Sequence, residues 1–288
     1  MAQNNLGEKI ENYIKEMPSL PVSVGKVMEI CRGVTVNPLD LNHVISLDPV
    51  LTGQLLKLIN SAYYGLGSHV TSLVKAITML GLNTVKNLAL STAVLGALPK
   101  NKGIKGLNME GFWHHCLCVG VTSKLLAAKQ GVDSKYLEEY FTTGLLHDIG
   151  KIPLNAALPD EYVKAVTSAD RQHRPLIALE NDNFGINHCA CGAMISNAWK
   201  LEGPVADVIA FHHDIGGYTG EYSQIICTVS IANYFSLVYQ TGFAGDRKPV
   251  KPESNFWAAI NLKESAFEDI KDKINKEIEK AKIFLNIS

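Results

Sequence analysis

The sequence predicts an all-α fold. Three observations carry that expectation. Apolar residues recur at three- and four-residue spacing along most of the chain. No period-2 strand or hairpin signal interrupts them. Asn and Pro stand where helix starts favour them, and Gly where helix ends do. Of the 288 residues, 47% are hydrophobic, enough to close a substantial core.

The elements follow in order. A short amphipathic helix is expected over about Leu6 to Glu16. Pro18 and Pro21 punctuate, and a helix from about Val22 to Cys31 ends near Gly33. In "NPLDLNHVISLDP", Asn37 is an N-cap and Pro38 fits the first turn; Pro49 opens the next helix in the same way. There Leu51, Leu55, Leu58 and Ile59 share a face. "SLVKAITMLGLNTVKNLALSTAVLGAL" reads as a helix pair hinged near Gly81, with Asn83 as cap of the second. The stretch Pro99 to Gly111, rich in Gly, Lys and Asn, is the expected linker. It divides the chain into an N-terminal helical half (1–105), a second helical half (106–245) and a C-terminal extension (246–288).

Beyond the linker come "FWHHCLCVGVTSKLLAAKQG", "SKYLEEYFTTGLLHDIG", a loop-rich stretch, "INHCACGAMISNAWKLEG", "PVADVIAFHHD" and "SQIICTVSIANYFSLVYQTG". The tail, Leu262 to Ile287, has the pattern of one amphipathic helix. Phe267, Ile270, Ile274, Ile278, Ala281 and Leu285 form its stripe, and Lys and Glu fill the other faces. That stripe is expected to dock on the same chain, with a dimer partner as second choice.

Composition narrows the function classes. Lys+Arg is 27 and Asp+Glu is 28, a formal charge of −1. No basic surplus points to nucleic acid or an anionic membrane. The first twenty residues are polar and charged, unlike a secretory signal, and the apolar run "LALSTAVLGAL" is too short to span a bilayer. A soluble, cytoplasmic protein is expected. The pairs Cys116/Cys118 and Cys189/Cys191 invite a zinc reading, but on a helix residues two apart point about 200° apart. Small reduced core residues are the expected role.

Ligand-type side chains concentrate in the second half: His115, His147, Asp148, His188, His212 and His213. Apart from the adjacent pairs, each belongs to a separate helix or helix end, as in metal sites built inside helical bundles. On a helix from about Lys135, Asp148 shares an apolar face with Leu137, Phe141, Gly144 and Leu145. A buried carboxylate there needs a cation, a Lys or Arg, or several donors. A lone His on an apolar face is usually a core residue bonded to a carbonyl. Six such groups, with an HD and an HH pair, favour a metal site. Imidazole plus carboxylate suits Fe, Mn, Ni or Zn, and a bridging Asp can hold one or two divalent ions.

These residues carry a resemblance. "FWHHCLCVGVTSKLLA", "GLLHDIGKIPL", "INHCACGAMISNAWKL" and "IAFHHD" resemble the HD superfamily of metal-dependent phosphohydrolases. "MPSLPVSVGKVMEI", "VISLDPVLTGQLLKLINSAYYG" and "VTSLVKAITMLGLNTVKNLAL" look like the hallmark segments of HDOD domain proteins. The resemblance implies a front helical subdomain packed on an HD-type five-helix core, and a bacterial signalling context. His115 matches the family's first histidine, His147–Asp148 the HD pair, His188 with Gly192 the H-x-x-x-G segment, and His212–His213 the paired histidines. Lys151 matches a lysine that lies near substrate phosphate in the related HD-GYP enzymes. Asn233 stands where the superfamily has a last aspartate ligand, and Thr219 stands where the GYP loop has proline. The implied function is a regulatory module that retains a metal-binding pocket and binds a signalling protein or a phosphorylated ligand. The alternative is an active metal-dependent phosphohydrolase or phosphodiesterase, with Asp148 and Lys151 as its catalytic residues.

Overall fold

The computed structural model describes residues 2–33, 36–98 and 105–286, and every regular element among them is helical. The N-terminal half comprises α1 (Ala2–Glu16), α2 (Val22–Ile30), α3 (Pro38–Ser46), α4 (Pro49–Ile59), α5 (Leu73–Leu80) and α6 (Leu82–Ala97). Side-chain caps start three of them. Asn37 accepts from Leu39 N, Asp48 from Leu51 N and Ser72 from Lys75 N. The second half comprises α7 (Met109–Lys129), α8 (Leu137–Leu146), α9 (Lys151–Ala157), α10 (Pro159–Gln172), α11 (Leu176–Phe184), α12 (His188–Ala198), α13 (Pro204–Phe211) and α14 (Ser223–Val238). Then α15 (Ser254–Ala259) and α16 (Glu268–Ala281) close the chain.

Helix α7 is the central post, packed against α8, α14 and α16. Its crossing with α8 is backbone to backbone. A Cβ on Gly144 would stand 2.8 Å from Gly120 Cα, and one on Gly120 would stand 2.8 Å from the Phe141 carbonyl oxygen. Only glycine at both positions lets the two axes come so close. The crossing brings His115, in mid-α7, beside His147 at the end of α8. The front half docks through α6 on α8 and through α1 on α9 and α12. Trp199 Nε1 donates to the Pro18 carbonyl at 3.0 Å across that contact. The apolar cores of the two halves merge into one cluster.

Several expectations need correction. Asn83 does not cap α6; Gly81, at φ +84°, ends α5 and starts α6, and Asn83 Nδ2 donates instead to the Lys135 carbonyl. The expected linker is shorter at its C-terminal end, because Asn108 caps α7 and Gly111 lies inside that helix; its residues 99–104 are outside the described residues. The loop-rich stretch is helical, forming α9, α10 and α11. Helix α10 buries only the narrow stripe Tyr162, Ala165 and Ala169 in an otherwise polar sequence. Pro159 and the polar residues around it read as loop, but proline is tolerated in a helix's first turn. The tail is not one helix: 3-10 turns at Glu264–Ala266 and Lys282–Asn286 flank α16. The second turn rotates Phe284 inward in place of Leu285, and Phe284 packs its ring against Tyr63 and Phe141. Ile287 is outside the described residues. The stripe Phe267, Ile270, Ile274, Ile278 and Ala281 is buried on the same chain, against α7. Among the described residues no helix is long and apolar enough to cross a membrane. All six cysteines are free, and five are buried.

Candidate metal centre

The centre is assembled at the end of α8. That helix stops at Leu146, His147 is its C-cap, and Asp148, expected on the helix, lies two residues past its end in the turn that leads into α9. Gly150, in the same turn, receives α12 at close range. A Cβ there would stand 1.8 Å from the His188 carbonyl oxygen and 2.5 Å from Gly192 N. Gly192 is as constrained, since its Cβ would stand 2.3 Å from Ile209 Cγ2. Helices α12 and α13 can therefore deliver His188 and His212 directly over Asp148. Ser230 on α14 donates to the His212 carbonyl at 2.6 Å and steadies that corner.

Four imidazoles face the Asp148 carboxylate. His115 Nε2 and His147 Nε2 are 3.6 and 3.3 Å from Oδ2, and His188 Nε2 and His212 Nε2 are 3.4 and 3.6 Å from Oδ1. All five residues are at most 2% exposed, so water does not satisfy them. None of the four Nε2 atoms, nor Asp148 Oδ1, has a hydrogen-bond partner. Each Nδ1 does. His147 Nδ1 donates to the Gly144 carbonyl at 2.7 Å, His212 Nδ1 to the Val208 carbonyl at 3.0 Å, and His188 Nδ1 to Glu180 Oε2 at 2.6 Å. His115 Nδ1 meets Ser236 Oγ at 3.0 Å; that hydroxyl spends its proton on the Thr241 carbonyl, so it accepts from His115. Proton on Nδ1 leaves the Nε2 lone pair aimed at the shared space, the arrangement a metal-binding imidazole requires. Several lone pairs turned on one carboxylate repel unless a cation or protons lie among them.

The charges are uneven. Burial opposes the Asp148 charge, but His147 and the Lys151 ammonium outweigh it and hold the carboxyl well below the usual range. Lys151 Nζ lies 2.7 Å from Oδ2 and is 3% exposed. Burial lowers His115 and takes His147 down to about 4. It also opposes charge on His188, yet the Glu180 carboxylate overrides it and holds that ring up to about 10. His212 is held up to about 9 against its burial, first by Cys189 and then by Asp148. Cys189 in turn, despite burial, is drawn down to about 6 by facing His212 and His188. His188, Cys189 and His212 form one ligand-type group, and His115, His147 and Asp148 another.

The other expected site residues are placed differently. His213 is exposed and packs outside the centre, its ring tilted 4.4 Å from that of His212 and edge-on 5.1 Å from that of His188. Asn233 is buried on α14 with an unpartnered Oδ1, on the wall of a cavity of about 170 Å³ that it shares with His212 and His213. Lys151 is shut in against Asp148 and does not line that cavity. Sequence reasoning missed Glu180, Ser236 and Cys189 as supports of the histidines. Glu180 also accepts from the Tyr162 hydroxyl at 3.0 Å and from His188 N at 2.9 Å. A signal for it existed: Glu180 falls on the apolar stripe of Leu176, Leu179 and Phe184, where a carboxylate must have a buried task.

Known proteins resemble this chain. The chain is 27% identical over 231 residues, 79% of its length, to an uncharacterized protein of Treponema pallidum (strain Nichols). It spans 44% of that relative, less than half its length. Among solved structures, an HDOD domain protein of unknown function from Geobacter sulfurreducens matches with TM-score 0.75 and 23% identity, over 96% of this chain and 97% of that one. A protein named as a candidate phosphohydrolase, from Shewanella amazonensis SB2B, matches with TM-score 0.71 and 21% identity, over 96% of this chain and 98% of that one. At such identities these two establish a common fold. The HDOD domain pattern itself covers residues 17–215, from the proline-flanked start of the front half through the HD turn and the paired histidines, and the chain therefore belongs to the HDOD domain family.

Proposed function

We propose that this chain is a regulatory HDOD module whose second half holds one or two divalent transition-metal ions (Fe, Mn, Ni or Zn), and that the pocket so charged recognises a phosphorylated ligand or a signalling protein. The observation that carries this reading is the set of four buried, unpartnered Nε2 atoms turned on Asp148, each fixed by a bond at its Nδ1. Imidazoles that only fill a core do not leave four buried ring nitrogens without partners around a carboxylate, because each costs about 1–3 kcal/mol. The two Asp148 oxygens face separate imidazole pairs, which suits one ion or a bridged pair. Glu180 orients His188, Ser236 orients His115, and Lys151 holds Asp148 ionised. Asn233 offers a neutral amide oxygen where a carboxylate would bind an ion more strongly. That weakens the case for turnover and favours a binding role.

Metal analysis of the purified protein tests the reading. About one or two transition-metal ions per chain are expected, with most of the metal lost in His147→Ala combined with Asp148→Ala. A protein that stays metal-free after loading would refute it.

A second reading, a metal-dependent phosphohydrolase, is favoured by one observation: His212, alone of the five residues of the centre, lines a cavity of about 170 Å³. A bound divalent ion supplies Lewis acidity and a water of lowered pKa. In that reading Asp148 holds the ion, and Lys151 keeps Asp148 ionised and in place. Turnover of cyclic dinucleotides, nucleotides or simple phosphodiesters, abolished by Asp148→Ala, marks the enzyme. Silence across these substrates and across metals marks the module.

A further inference from the structure

A cavity of about 420 Å³ lies away from the metal centre, between the turn that joins α7 to α8 and the start of α14. Its wall carries three carboxylates, Asp133, Glu139 and Glu221, and no basic side chain. Two of them are offset from outside the cavity. Lys135 Nζ lies 3.2 Å from Asp133 Oδ2, and Lys86 Nζ lies 3.1 Å from Glu139 Oε1. Glu221 is exposed and has no ion pair among the described residues, so the cavity keeps one uncompensated negative charge. That charge is felt on the wall. The Tyr222 hydroxyl is held above its ordinary pKa, first by Glu221 and then by burial, with Glu139 and Asp207 adding their charges.

An exposed carboxylate is common without a ligand; Tyr140 is the independent sign. It is 6% exposed, and its hydroxyl has no hydrogen-bond partner. That oxygen is nevertheless not closed off, and Tyr140 lines the cavity, so the hydroxyl opens there. Burial and then the Glu139 charge raise its pKa to about 12, so it stays a phenol. The cavity thus offers a carboxylate, a phenolic oxygen able to accept, and the rings of Tyr136 and Tyr222. A hard metal ion takes a full shell of oxygen ligands, which this wall does not supply. An ammonium is a compact point charge. A guanidinium is flat, lies on aromatic faces and spreads a fork of N–H donors over several acceptors. We infer that this cavity seats a guanidinium group, paired with Glu221, donating to Tyr140 Oη and lying against the tyrosine rings of the wall. No residue of the metal centre lines the cavity, so this inference and the metal-centre reading stand or fall separately.

Amide NMR titration of the full chain with N-acetyl-arginine amide, which carries the guanidinium and no carboxylate, tests this. The signals of Gly131, Tyr140 and Ile225 should shift and saturate. Glu221→Gln should weaken binding about tenfold, the worth of one charge-assisted bond. Tyr140→Phe should weaken it about threefold or more at unchanged Tm, because the lost hydroxyl has no partner within the chain. Butylammonium, a cation without the fork, should bind about tenfold more weakly than the amide. Free arginine separates two sources of the same group. Binding as tight as that of the amide marks a small guanidino compound, and weaker binding marks an arginine side chain of a partner protein; both presuppose Glu221-dependent binding. The proposal is overturned by no shift at these signals, by wild-type affinity in Glu221→Gln or in Tyr140→Phe, or by butylammonium bound as tightly as the amide. A lowered Tm in Tyr140→Phe also overturns it, since the hydroxyl would then be bonded within the chain.

Discussion

Gly150→Ala puts the assembly of the centre to a quantitative test. The added Cβ would stand 1.8 Å from the His188 carbonyl oxygen, against the 3.4 Å of an ordinary contact. Relief therefore needs α12 to withdraw by about 1.6 Å from the HD turn. Both obstacles are backbone, so no side-chain rotation can absorb the clash. Overpacking of this kind costs about 3 kcal/mol, which lowers Tm by about 5 °C in a chain of this size. The functional loss is larger than the loss of stability. Metal–ligand distances tolerate about 0.2 Å, so a helix displaced several times that far removes His188 from the ligand set. Metal affinity should fall by at least about 100-fold while helical circular dichroism persists. Gly53→Ala is the control: it lies exposed in α4 with nothing within 4 Å of its Cβ, and should stabilise by about 0.5–1 kcal/mol. The pair is read by differential scanning calorimetry and metal titration. A Gly150→Ala protein with wild-type Tm and metal content would show that the α12 approach does not govern the site.

Three further outcomes are expected. Lys151→Met leaves the buried Asp148 charge without its ammonium, and metal-free protein should lose about 3–5 kcal/mol. A bound dication replaces that charge, so thermal melts should show a smaller loss in loaded protein, and equal losses would contradict the assignment. Glu180→Gln keeps the shape but removes the charge behind His188, and a competition titration should find metal affinity about 10–100-fold lower. Metal-free protein should lose stability with rising pH. His188 is raised from an ordinary 6.5 to about 10, so its contribution is complete below pH 6.5 and is lost as pH climbs through about 10. Loaded protein has already released that proton, so the Tm gap between loaded and metal-free forms should widen across this window; a constant gap would speak against shared use of the imidazole.

The sequence by itself determined the helical class, the cap at Asn37, the helix start at Pro49, and the buried face of the tail. These are local or periodic properties, written in side chains three and four apart. It also marked His115, His147, Asp148, His188 and His212 as candidates, because polar groups on apolar faces are anomalous wherever the chain later puts them. It did not reveal α10 and α11, which open at Pro159 and after Pro175 in a polar stretch that reads as loop, nor the break that turns Phe284 inward. What only the tertiary structure decided is which candidates meet. The bare backbones at Gly120/Gly144 and Gly150/Gly192 set helix separations that no periodicity encodes. Those separations bring four rings to Asp148, leave His213 one layer outside, and bury Lys151 against Asp148 rather than at the cavity. Glu180 gains its role from His188, eight residues on, and Tyr162, eighteen back, contacts that form only when α10, α11 and α12 pack together.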